Sequence, residues 1–125
     1  MRKILFRAKT VDDSRWKYGD LITVKRENLC GIKENSVLGI KHLCKSGTIG
    51  QYTGMKDING KKIFEGDILK NEPGTIYGGS YNFEVEYING MFQGISNCVE
   101  LEPLYFSECE IIGNVFDNPE AIKGV

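Results

Sequence analysis

The side chains that could carry chemistry in this 125-residue chain are four cysteines, one histidine and a few carboxylates beside glycines. Cys30, His42 and Cys44, joined by Cys98 or Cys109, offer the ligand types of a structural zinc site. The spacings do not fit one. There is no CxxC pair, and His42-x-Cys44 is a single close pair where such sites take tight pairs at two places. Reduced, packed thiols are the plainer reading, and His42 reads as a packed or interface histidine. Asp57, Glu65 and Asp67 could hold a divalent cation, but turn chemistry accounts for Asp57 and a solvent-facing position for Glu65. Asp20 and Asp67 each follow a glycine and precede an apolar run, where the carboxylate bonds nearby backbone amides. No G-x-S-x-G, P-loop, HExxH or dinucleotide fingerprint is present. The expectation is a protein that is not an enzyme, with no metal, no cofactor and no disulfide.

Charge suggests a second chemistry. The net charge is −1, yet Met1 to Lys45 holds eleven Lys or Arg against five Asp or Glu, a balance of +6. Ser46 to Val125 holds five against twelve, a balance of −7. The basic part interleaves cations with aromatics. Lys3, Arg7, Lys9, Arg15, Lys17, Lys25 and Arg26 could meet phosphates, and Trp16 and Tyr18 could stack on bases. Opposite balances equally suit two parts that face each other, within one chain or between copies. The acidic part would repel nucleic acid, so association between copies is the leading expectation and nucleic-acid binding the alternative.

The elements that must position these residues are short strands. Ile4, Phe6 and Ala8 alternate with Lys3, Arg7 and Lys9, with Leu5 the exception, which predicts a half-buried strand paired through Thr10–Ser14 to Arg15–Tyr18. Leu38, Ile40, His42 and Cys44 would share one face of a later strand. Asn59-Gly60 and Asn89-Gly90 each predict a two-residue hairpin turn with positive φ at both positions. Gly66 should bend the strand from Ile63 to Leu69. Tyr81, Phe83, Val85 and Tyr87 should point inward from the cleanest alternation in the chain, with Asn82, Glu84 and Glu86 outward. Asn71–Gly74 reads as a turn and Gly78–Ser80 as a loop tip. Leu101–Phe106 reads as an edge strand because of Pro103, and Glu108–Phe116 as the last strand. Asn118 should cap a single helical turn opened by Pro119.

Hydrophobic content of 41% and charged content of 26% are those of a globular domain. No apolar run approaches the ~20 residues that span a bilayer, and the start carries no signal-peptide pattern, so a cytoplasmic location is expected. The fold class predicted is mainly β: an SH3-like small barrel over residues 51–125, with strands from Gln51 to Asn118, and a smaller N-terminal β subdomain over residues 1–50. The N-terminal part looks too short for a core of its own and should pack on the barrel or a neighbouring chain.

Three stretches resemble the YopX-type proteins of phages and prophages. They are Lys3–Ala8 with Trp16–Leu21, then Ile49–Asp57 with Gly60–Ile68, then Glu110–Glu120. They occur in order and span nearly the whole chain. The resemblance implies an SH3-like C-terminal part, multimeric assembly, a place in a host bacterial cell, and no established activity or catalytic residues.

Overall fold

The computed structural model describes residues 4–73 and 79–123. Met1, Arg2 and Lys3 lie outside that range, as do Gly74 and Gly78 of the expected turn and tip. The protein is mainly β, built as two antiparallel sheets. It divides into two compact units, Met1–Tyr52 and Thr53–Val125.

In the first unit, β1 (Phe6–Lys9), β2 (Trp16–Ile22), β3 (Leu29–Lys33), β4 (Lys41–Lys45) and the start of β5 (Gly50–Lys56) lie in the order β4-β3-β2-β1-β5. A bridge between Thr10 and Cys44, and the Val11 N–H donating to the Leu43 carbonyl at 3.1 Å, bring β4 back to the end of β1. The strands thus wrap around Ala8, Cys30, Ile32 and Cys44, flanked by Phe6 and Ile49. This corrects the expectation that so short a segment has no core: small residues at Ala8 and the two cysteines let four strands curl tightly. Leu5 is buried and Ile4 exposed, the reverse of the simple alternation, because β1 starts only at Phe6.

In the second unit β5 continues to Lys56 and β6 (Lys62–Phe64) follows it in the same sheet. The turn between them is not the expected two-residue type. Only Gly60 has positive φ (82°), and the Asp57 N–H donates to the Lys61 carbonyl at 2.8 Å, closing a three-residue loop. A tight turn at Glu65-Gly66, with Gly66 at φ 89°, leads into β7 (Asp67–Asn71). β7, β8 (Asn82–Ile88), β9 (Met91–Ile95), β10 (Glu100–Leu101) and β11 (Cys109–Asn114) form a sheet ordered β10-β9-β8-β7-β11. Asn89 and Gly90 both take positive φ (52° and 84°), the turn expected between β8 and β9.

The second core gathers Ile63, Leu69, Phe83, Val85, Phe92, Leu101, Phe106 and Cys109. Tyr87 stands edge-on to Phe92 at 4.9 Å but stays exposed, unlike Phe83 and Val85. Beyond Leu101 the expected edge strand is replaced by a 3-10 helix over Pro103–Glu108, because Pro103 at the first helical positions fixes a turning backbone. The last turn of helix, α1 (Glu120–Lys123), follows Pro119. Asn118 meets it through its main chain, the carbonyl accepting from the Ala121 N–H at 3.0 Å, while its side-chain Oδ1 accepts from the Asn114 N–H at 3.3 Å, back toward β11.

Candidate interaction face

Residues paired directly across antiparallel strands share a face. Arg7 pairs with Tyr18 and Lys9 with Trp16, so these four candidates stand together on the outside of the β1–β2 hairpin. Arg7 is nonetheless buried. Its guanidinium carbon lies 4.4 Å from the Trp16 ring centroid, and the Lys9 ammonium 5.5 Å from it. Two cations thus use the indole face that a base would need, the cation–π arrangement favoured where water is excluded.

The other candidates scatter. Lys17 pairs with Ala8 and so lies on the inner side. Arg15 is exposed, its Nε 3.4 Å from the Asp13 carboxylate. Lys25 and Arg26 are exposed in the turn between β2 and β3, and Lys3 lies outside the described residues.

The more prominent surface is the β3–β4 hairpin. Its loop is closed by the Glu34 N–H donating to the Ile40 carbonyl at 2.8 Å and the Gly39 N–H to Ser36 at 3.1 Å. Gly39 takes the left-handed conformation at φ 58°, which completes the turn before β4 begins at Lys41. Val37 and Leu38 therefore sit at the turn rather than on the strand face expected to join Leu38, Ile40, His42 and Cys44. Leu38 is 82% exposed, Val37 entirely so, and Ile40 and Leu43 are exposed as well. Burying a Val or Leu side chain stabilises by about 1.5–3 kcal/mol, so this tip leaves that stabilisation unused. Lys33 lies directly across from Lys41, and Lys41, Leu43 and Lys45 alternate along the outer side of β4. The alternation Lys-His-Leu-Cys-Lys over residues 41–45 puts this stripe opposite His42 and Cys44.

The inward residues explain the thiols. Cys30 lies directly across from Cys44, and both are buried. Burial pushes Cys44 up to about 11, with Cys30 adding to the shift, and burial pushes Cys109 up to about 11 as well. His42 is half-buried with Nε2 against the Glu34 carboxylate, and that bond holds Glu34 below the usual carboxylate range. Among the described residues no group of three or more His, Cys, Asp or Glu is arranged to hold a metal ion. Cys98 alone among the thiols is exposed. Native iodoacetamide treatment followed by mass mapping should therefore label Cys98 first, with Cys30, Cys44 and Cys109 following only on unfolding. Early labelling of Cys30 or Cys44 would contradict this account of the core.

The acidic candidates are structural in their geometry. Asp57 is buried, with Oδ1 accepting from the Asn59 and Lys61 N–H groups at 2.9 Å each and Oδ2 from the Ile111 N–H at 3.0 Å. Asp67 accepts from the Phe64 N–H at 2.8 Å. Glu65 is half-buried in its turn rather than on a solvent face, and Asp20 is exposed. The carboxylates that do gather are on the outer side of the second sheet. Glu84 pairs with Ile95, which pairs with Glu100, and Glu86 pairs with Gln93 in the next row. Partial burial, then the neighbouring Glu86, raises the Glu84 carboxyl above the ordinary range. Ile88 and Met91 continue this outer side, with Met91 exposed.

Comparison with known proteins adds kinship and fold. A family model described as YopX protein matches residues 5–123. The crystal structure of protein EF1440 from Enterococcus faecalis aligns with a TM-score of 0.63 at 23% identity, covering 98% of this chain and 99% of that one. No curated protein matches the chain. Among the described residues no helix is long and apolar enough to cross a membrane.

Proposed function

The chain belongs to the YopX protein family, and on that premise we propose that it is a non-catalytic, self-assembling interaction module, an accessory protein of phage or prophage origin acting in the bacterial cytoplasm. The observation that carries the reading is the apolar surface of the first unit. Tyr18, Leu21, Val37, Leu38, Ile40 and Leu43 are exposed on a segment whose charge balance is +6, beside a remainder at −7. Apolar burial would hold copies together, and opposite charge would steer them. The five strands β7–β11 are read as the SH3-like part. The support is that β7 lies between β8 and β11, and a 3-10 turn precedes the last strand.

Nucleic-acid binding is the second reading, favoured by the grouping of Arg7, Lys9, Trp16 and Tyr18 on one side of a hairpin. It ranks lower because Arg7 is buried against the indole. Light scattering at micromolar concentration separates the two. The expected mass is at least two chains, barely reduced by moderate salt, since buried contacts are screened far less than exposed charges. A monomer at every salt concentration that binds duplex DNA with a steep salt dependence would reverse the ranking.

A further inference from the structure

We infer that copies join through the β3–β4 hairpin of one chain docking on the outer side of β8, β9 and β10 of the next. The inference rests on the self-assembly proposed above and names the two surfaces that carry it.

The hairpin offers an exposed apolar tip, Val37, Leu38 and Ile40, backed by Leu43. Around it stand three lysines: Lys33 directly across from Lys41, and Lys45 two positions beyond Leu43. Like charges directly opposite on neighbouring strands disfavour the sheet that carries them. Such a pair beside an uncovered apolar tip suits an anionic, partly apolar partner, which relieves both penalties at once.

The second unit presents that chemistry. Its outer side carries Glu84, Glu86 and Glu100 around Ile95, with Ile88 and exposed Met91 at the near end. Glu84 and Glu86 stand two positions apart on the outer side of β8, and their like charges lack a cation directly across, since they pair with Ile95 and Gln93. Three lysines with four aliphatic side chains thus meet three glutamates with three. The two surfaces belong to different parts of the sequence, so the contact is heterologous, each copy offering one hairpin and one acidic side. Such contacts close into rings or run on as filaments. The occupant is therefore a second copy of this chain.

Charge reversal tests it at physiological salt. Lys33→Glu with Lys41→Glu places an acidic hairpin against an acidic side, and Glu84→Lys with Glu86→Lys places a basic hairpin against a basic side. Each double variant alone should scatter as a monomer while keeping the wild-type circular dichroism. An equimolar mixture should assemble again, to masses well above the monomer, because every mixed contact is complementary. Leu38→Ser, which removes exposed apolar surface without altering charge, should lower the mass at fixed concentration.

A wild type of several chains whose mass survives all three changes would overturn this contact and leave self-assembly standing. A wild type that is monomeric at every salt concentration would overturn both. So would a monomer that sediments with phosphatidylserine vesicles and loses that binding in Leu38→Ser, since the tip would then serve a lipid surface.

Discussion

Replacing Asp57 by alanine should cost about 3 kcal/mol of folding free energy, among the largest effects of any single polar change in this protein. One carboxylate receives three backbone N–H groups: Asn59 and Lys61 within its own turn, and Ile111 on β11, fifty-four residues away in sequence. Hydrogen bonds to a charged acceptor contribute about 1.5–3 kcal/mol each. Water can replace the carboxylate at the turn, which is exposed at Asn59 and Lys61, but less easily at half-buried Ile111. Asp57→Asn should recover only part of the loss, about 1 kcal/mol, because the amide nitrogen brings hydrogens to one of the accepting positions. Urea midpoints at unchanged slope would measure both. An alanine variant within 0.5 kcal/mol of wild type would sink the assignment of Asp57 as the clamp between turn and strand.

Gly66→Val should cost about 3 kcal/mol, against about 1–2 for Gly60→Val. Both glycines sit at positive φ, 89° and 82°, where a side chain brings its β-carbon against the following carbonyl. They differ in surroundings. A β-carbon at Gly60 meets nothing within 4 Å, whereas at Gly66 it comes 3.1 Å from the Phe116 ring and 3.7 Å from Val115. The backbone at Gly66 is also held on both sides. Its N–H donates to the Val85 carbonyl and its own carbonyl accepts from Val115, each at 2.9 Å. Equal losses in the two variants, read from thermal unfolding, would show that the conformation alone sets the cost and the Phe116 contact adds nothing.

These residues also mark how far the sequence could be read. Asn89-Gly90 announced its turn because both residues tolerate the conformation that a two-residue hairpin demands. The same dipeptide at Asn59-Gly60 made a different turn, since the Asp57 side chain captured the amides of Asn59 and Lys61 and held Asn59 out of the left-handed region. Spacing alone cannot reveal that competition. Alternation in Leu38, Ile40, His42 and Cys44 suggested one strand face, but Gly39 turned the chain and moved Leu38 to the tip. Arg7 fitted the polar face of its strand, and only the pairing of Lys9 with Trp16 across the hairpin put an indole over it. Nor could spacing bring Cys30 opposite Cys44, since that depends on the register of β3 with β4. The basic and aromatic residues were legible as types. Their burial, and the apolar tip beside the lysine stripe of β4, belong to tertiary placement.

The position of β7 between β8 and β11 has a bearing on time as well as on stability. The β8–β9 hairpin closes over a two-residue turn and can form on the scale of microseconds, about 1–10 μs for such units. β11 must find β7 from across the intervening chain, and the Asp57–Ile111 bond spans fifty-four residues. Pairing over such separations draws on loop-closure entropy before any contact rewards it, which places domains of this topology among the slower folders. Until β11 arrives, one side of β7 is an open row of backbone donors and acceptors beside Ile68 and Leu69, a template for any other strand in reach. The order in which this sheet assembles therefore decides whether β7 first meets its own chain or a stranger's.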